Sequence, residues 1–294
     1  MGIEYLDLYN KSKLFIVKGI SNRNESDMSE FLLWASLSLE LLGKATLAFV
    51  HPSLVVDPND PKGLLVACGY RKHDDFKTIQ AKTVFERLHV TLSIPKFDQK
   101  KKEFCMSLAN KRNAELHSGL LPFDGLRLDL ILPHFWEICV ILLEFQEKKL
   151  EEWIGHDEAI RALKIIEDHS AILKTVVESR VEACRVKYYE KYRHDQPQIT
   201  YEVYNDDEEL IRCPACNNDA LAYGELNDKV YEGESEENPW HSVYSYIYDT
   251  TEVHCRYCDL KLIGYEEVEI VIEDPVFSKT VEEEPDYDYD YGND

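Results

Sequence analysis

Two Cys-x-x-Cys pairs, Cys213-Pro214-Ala215-Cys216 and Cys255-Arg256-Tyr257-Cys258, constrain this 294-residue chain more than any other feature. Each pair presents two sulfurs from one tight turn, and two such turns complete a tetrahedron with no position left open for water. The other four of its eight cysteines, Cys68, Cys105, Cys139 and Cys184, are scattered, and three of them fall in apolar helical patterns. Cysteines in that setting act as small buried hydrophobes. The N-terminus lacks the basic-then-apolar layout of a secretory signal. Paired spacings in such a chain read as metal ligation rather than a disulfide framework. Neither pair sits at the start of a helix in a βαβ pattern, which argues against a redox motif. The sequence therefore predicts one structural zinc ion on Cys213, Cys216, Cys255 and Cys258. His241 and His254 are spare ligand candidates that read as surface residues. A small, aliphatic-poor region also needs such a staple, because bound metal supplies folding energy that a small core cannot.

Charge divides the chain. Of 33 Lys+Arg and 56 Asp+Glu, 28 and 29 fall in residues 1–195, leaving 5 and 27 for residues 196–294. The formal net charge of −23 thus belongs almost wholly to the last third. That third repels phosphate backbones, whose binding rests on Lys and Arg, so any contact with nucleic acid falls to the first 195 residues. No run of 18 or more uncharged apolar residues predicts a membrane span. Leu6 stands where N-myristoylation wants Ser or Thr. The expectation is a cytoplasmic protein with no membrane partner.

Residues 1–195 predict a mainly α fold, an antiparallel helical bundle. A first helix is expected from Glu4 to about Lys18. A second runs from the N-cap candidate Ser26 to Val50, with Phe31, Trp34, Leu37, Leu41, Ala45 and Ala48 on one apolar face. Residues 52–76 read as loop, punctuated by Pro52, Pro58, Pro61 and Gly63, and a shorter helix follows from Thr78 to about His89. The next helix has Asp98 as N-cap and Gly119 as C-cap glycine. Pro133 is expected to open a long helix with Trp136, Val140, Leu143, Leu150 and Trp153 on a stripe and Gly155 at its end. Asp157 then caps a last helix to about Arg193, before Gln196-Pro197. Four or five long helices with modest loops make a bundle.

From about Ile199, Tyr, Val and Ile alternate with polar residues in Tyr201–Tyr204, Val243–Tyr248 and Glu266–Ile272, which predicts short strands. The expected domains are a bundle over 1–195, a small β-rich metal module over 196–281 and a tail over 282–294. Residues 225–239, acidic and without clear period, are expected to be a mobile insertion. The tail carries the repeat Asp286-Tyr287-Asp288-Tyr289-Asp290-Tyr291 and is too uniform to pack, so disorder is expected. The cysteine arrangement resembles a zinc ribbon, which implies a structural metal.

The second constellation is Arg112-Asn113-Ala114-Glu115-Leu116-His117-Ser118-Gly119, in the last turns of a core helix. Five residues separate Arg112 and His117 by ~140° around a helix axis, so both can flank a groove or a two-fold interface. RNA carries its own nucleophile in the 2′-hydroxyl. His117 offers a proton acceptor or donor near neutrality. Arg112 offers permanent bidentate charge to a phosphate. Asn113 could hold a phosphate oxygen or orient the imidazole. In a purely architectural role, Arg112 pairs with Glu115 or another acid and His117 caps the helix carbonyls.

Set in a helical bundle, this stretch resembles the HEPN family (higher eukaryote and prokaryote nucleotide-binding domains). The family's hallmark is Arg, then a polar residue, then His; Arg112, Asn113 and His117 match it. The segment Glu40-Leu41-Leu42-Gly43-Lys44-Ala45 also looks like the family's early helix. The resemblance implies a metal-independent endoribonuclease with a composite Arg/His site in a homodimer, of the toxin or antiviral-defence type. Some members carry a Tyr two positions after the His; here that position is Gly119, a departure that removes this point of regulation. Two other functions fit the residues: a non-catalytic nucleotide- or RNA-binding adaptor, and an acidic inhibitor or scaffold for a basic partner. The acidic third could also hold a regulatory protein.

Overall fold

The computed structural model describes residues 3–23, 28–70, 76–94, 96–192, 198–235, 238 and 240–284. The expected N-cap Ser26, the Gln196-Pro197 stop and the tail from residue 285 onward, with its Asp-Tyr repeat, lie outside the described residues. The chain divides into two compact units, Met1–His169 and Ser170–Asp294. The division falls within the residues of the last long helix, upstream of the compositional change near 195, because that helix gives Val177, Val181 and Tyr188 to the second unit's core.

The first unit is helical, as expected. It contains α1 (Tyr5–Ser21), α2 (Ser29–Val50), α3 (Pro61–Ala67), α4 (Ala81–Glu86), α5 (Gln99–His117), α6 (Leu128–Phe145), α7 (Leu150–Ile154) and the start of α8 (His156–Lys191). Its core joins Phe31, Leu39 and Leu42 of α2 to Phe135 and Trp136 of α6 and Trp153 of α7, all buried. Helix α2 has the length and composition to cross a membrane, yet the greater part of it is buried in this unit. Buried polar groups are paired along it: Ser38 Oγ donates to the Ser12 carbonyl at 2.7 Å and Ser36 Oγ to the Leu108 carbonyl at 3.1 Å. The second of these bonds fixes α5 against α2 one turn before Arg112. Gly43 makes room for α4, since a Cβ there would stand 2.8 Å from Val84 Cγ1.

Several boundaries differ from expectation. Residues 52–76 contain a 3₁₀ turn at Pro52–Val55 and α3, whose N-cap Asp60 accepts from the Lys62 amide. The helix expected from Thr78 starts at Ala81, because Thr78 pairs as an isolated β-bridge with Val56; past Glu86 it becomes a π turn at Arg87–Thr91. Asp98 caps α5 as expected, accepting from the Lys101 amide at 2.8 Å. Gly119 is not its cap: Ser118, in extended conformation, ends the helix. Pro133 lies inside α6, which begins at Leu128 beside an Arg127–Asp129 ion pair. The single helix expected from Pro133 to Gly155 is broken where Glu147 takes φ 56°, and Gly155 at φ 87° separates α7 from α8. Helix α8 begins at His156, one residue before the expected cap Asp157.

The second unit is a small antiparallel sheet on the C-terminal part of α8. Strands β1 (Glu208–Arg212), β2 (Asp219–Glu234), β3 (Ser242–His254) and β4 (Lys261–Ile263) lie in that order. After the short α9 (Tyr265–Glu269), β5 (Val276–Glu283) pairs with the first part of β3. The acidic stretch expected to be a mobile insertion is, through Glu234, the second half of β2. It is held in register by the cross-strand pairs Leu226↔Tyr248, Lys229↔Tyr246 and Tyr231↔Tyr244. Lys229 Nζ lies 3.9 Å from the Tyr244 ring centroid and 2.6 Å from a Glu283 carboxylate oxygen, which places Glu282 and Glu283 in β5 rather than in a disordered tail. The expected strand at Glu266–Ile272 begins instead as α9, where Glu267 accepts from Arg180 at 2.6 Å and from the Ile263 amide at 2.9 Å. Tyr201–Tyr204 forms no strand; Tyr201 Oη instead accepts the Arg256 amide at 2.6 Å. Val243–Tyr248 is strand, within β3.

Candidate functional site

Cys213, Cys216, Cys255 and Cys258 come together. Their sulfurs all lie within 4.8 Å of one another, every one of them buried. Cys213 Sγ is 3.6 Å from Cys258 Sγ, and Cys216 Sγ is 3.6 Å from Cys255 Sγ. These separations exceed a disulfide's ~2.05 Å. They match the edge of a tetrahedron with metal–sulfur bonds of ~2.3 Å, about 3.8 Å. Sulfur-to-sulfur hydrogen bonds from Cys213 and Cys258 favour the thiolate at Cys255 and pull its pKa far down. The same bonds push the Cys213 and Cys258 thiols up; it is the spacing of the four buried sulfurs that is compatible with a zinc site.

The two turns are built alike. The Cys213 amide donates to the Asn218 carbonyl at 2.8 Å, and the Cys255 amide to the Leu260 carbonyl at 2.9 Å. In each turn the residue after the second cysteine is left-handed, Asn217 at φ 59° and Asp259 at φ 60°. Asn and Asp tolerate that conformation because their side chains bond locally. Helix α8 grips both turns: Arg185 donates to the Ala215 and Pro214 carbonyls at 3.2 and 3.1 Å, and Lys187 pairs with Asp259 at 3.1 Å. The repeated Cys-x-x-Cys-[Asn/Asp] signal was available to find Asn217 and Asp259; Arg185, on a distant helix, had none. His241 and His254 stand outside the cluster, facing Glu282 at 3.7 Å and Glu252 at 3.3 Å. Among the scattered cysteines, Cys105 and Cys139 are buried and burial pushes their thiols up; Cys184 is half-buried, and Cys68, in the stretch read as loop, is exposed.

At the end of α5, Arg112 is buried while Asn113 and His117 are exposed. The Arg112 guanidinium donates through Nη1 to Glu40 of α2, and through Nε and Nη2 to Asn113 Oδ1 at 3.1 and 2.8 Å. Glu40 also receives Lys44 Nζ at 2.9 Å. Burial alone would raise the Glu40 carboxyl, but Lys44 and Arg112 outweigh it and hold the pKa below the ordinary carboxylate value. The acid that pairs with Arg112 is thus Glu40 and not Glu115, whose Oε2 is shielded without a hydrogen-bond partner. His117 makes no hydrogen bond or ion pair among the described residues, so it does not cap the helix. The Ser118 hydroxyl bonds the Ala114 carbonyl at 2.6 Å instead. Asn113 orients the guanidinium rather than the imidazole. Exposed Leu116, Leu120 and Leu121 flank His117 in sequence.

No protein-family model, curated protein or solved structure matches the chain.

Proposed function

We propose that the helical unit is an endoribonuclease of HEPN type, with Arg112 and His117 as its catalytic pair, and that the second unit is a zinc-ribbon-like module carrying one structural zinc on the four cysteines. The observation that carries the first reading is the contrast within one helix end. Arg112 is held rigidly by Glu40 and Asn113, while His117 stands exposed and without an internal partner. A guanidinium has five N–H donors, of which these contacts use three; two remain for a phosphate. An exposed imidazole can reach a substrate for general acid–base work. His117 accepts the 2′-hydroxyl proton or gives one to the leaving 5′-oxygen, Arg112 offsets charge on the phosphorane, and Asn113 positions Arg112. One such pair is sparse, and a homodimer doubles it; the exposed leucines around His117 are suited to a subunit interface. The zinc chemistry is structural: four thiolates leave no site for substrate.

Incubating RNA with the purified chain in EDTA should give fragments ending in 2′,3′-cyclic phosphate. Fragments with 3′-hydroxyl ends, or a strict need for magnesium, would refute the mechanism. A second reading, a non-catalytic nucleotide-binding adaptor, is favoured by the Arg112–Glu40 ion pair, which partly neutralises the cation. Toxin or defence roles follow only from the family resemblance.

A further inference from the structure

The second unit contains a cavity of about 270 Å³ beside Cys255, lined by Tyr201 and Tyr223 and by His254, Arg256 and Lys261. Its charge is unlike its surroundings. Residues 196–294 hold five basic residues against 27 acidic ones. Three of the five are ion-paired: Arg212 with Asp219, Lys229 with Glu283, and Lys279 with Glu209. The remaining two, Arg256 and Lys261, have no ion-pair partner among the described residues, and both line this cavity. The one carboxylate in its lining, Asp259, is taken by Lys187 at 3.1 Å. Leaving two cations unpaired where carboxylates outnumber them so heavily points to an anion from outside.

The ring surfaces narrow the chemistry. The Arg256 guanidinium lies 5.2 Å from the Tyr201 ring centroid, and its backbone amide donates to Tyr201 Oη at 2.6 Å. Tyr257 exchanges hydrogen bonds with both backbone groups of Ile199, at 2.9 and 3.1 Å, so the extended segment bearing Tyr201 is clamped to the second cysteine turn. Tyr223 meets the His254 ring edge-on at 5.4 Å. The floor is apolar, with Leu221 and Leu260 buried. Aromatic walls, an apolar floor and cations without ion-pair partners suit a planar ring that carries negative charge. A volume near the lower end of ligand pockets (~300–1,000 Å³) takes one such ring system and not a strand.

We propose that this cavity binds a single nucleotide, its base against the tyrosine rings and its phosphate on Arg256 and Lys261. The proposal is independent of chemistry at Arg112 and His117. Full-length His117→Ala protein, used so that RNA survives, should be titrated by calorimetry with the four ribonucleoside monophosphates, with a short mixed-sequence single-stranded RNA and with an acidic peptide. Arg256→Gln, Lys261→Gln and Tyr201→Leu should each weaken nucleotide binding about tenfold, as expected for losing one charge-assisted hydrogen bond or one stacking surface. Bound zinc and the circular dichroism spectrum report folding; if Arg256→Gln alters either, Lys261→Gln and Tyr201→Leu carry the test. Saturable binding of free monophosphates identifies a small-molecule nucleotide site. Binding of the RNA alone, with the same sensitivity to the three variants, identifies a nucleotide unit of a strand. Binding of neither, tighter binding of the acidic peptide, or nucleotide binding unchanged in folded Lys261→Gln and Tyr201→Leu proteins would overturn the proposal.

Discussion

Arg112 carries a permanent charge into the helical unit, where Glu40 and Asn113 receive its N–H groups. Breaking a buried pair from one side leaves the other charge uncompensated. Glu40→Ala should therefore destabilise the helical unit by about 3 kcal/mol, read by thermal or denaturant unfolding. Because the folded pKa of Glu40 lies below its unfolded value, its contribution is complete above about pH 4.5 and is lost as pH falls from there through the folded pKa. Melting temperature should drop more steeply with acid in the wild type than in Glu40→Gln, and parallel pH profiles would contradict the pairing. The clustering of the four cysteines was legible in the sequence, since they belong to two motifs of four residues each. The Arg112–Glu40 pair was not. Its members stand 72 residues apart, and only the packing of α5 on α2 joins them. The same holds for Arg185, whose carbonyl partners come from a distant turn.

Elements were legible where one pattern dominated. Helices α1, α2 and α5 each present strong apolar periodicity or a clear cap. The second half of β2 was hidden because its alternation is carried by Leu226, Lys229 and Tyr231 amid carboxylates, and its stability comes from β3 and β5 rather than from itself. Helix α9 was misread as strand because a side-chain bond from Arg180 to Glu267 overrides a local alternation. The sheet depends on close approach at Gly224, beside an irregularity between β2 and β3, where a Cβ would stand 2.7 Å from Tyr248 Cβ and 2.8 Å from the Phe277 ring. Tyr248 and Phe277 stack there at 5.2 Å. Gly224→Ala should cost about 1–3 kcal/mol by overpacking, and a variant melting like wild type would show that the strands yield freely.

The whole chain joins a helical unit with its own core to a sheet unit whose small core surrounds the four cysteines. Purified protein should hold about one zinc per chain. Cys213→Ala with Cys258→Ala should abolish it and unfold the sheet unit while most of the helical circular dichroism signal survives. Full zinc in the double variant would remove the metal from the account. The acidic unit should hinder rather than assist RNA binding as a whole, so the functional claim rests on the helical unit and, within it, on His117. His117 is exposed and unpartnered, so its removal leaves the fold intact and isolates chemistry from architecture. The most direct measurement is the single-turnover rate of RNA cleavage in EDTA by wild-type and His117→Ala proteins of equal melting temperature. A general acid–base role predicts a fall of ~10²–10⁴-fold in the variant. Equal rates in the two proteins, or no cleavage by the wild type, would contradict it.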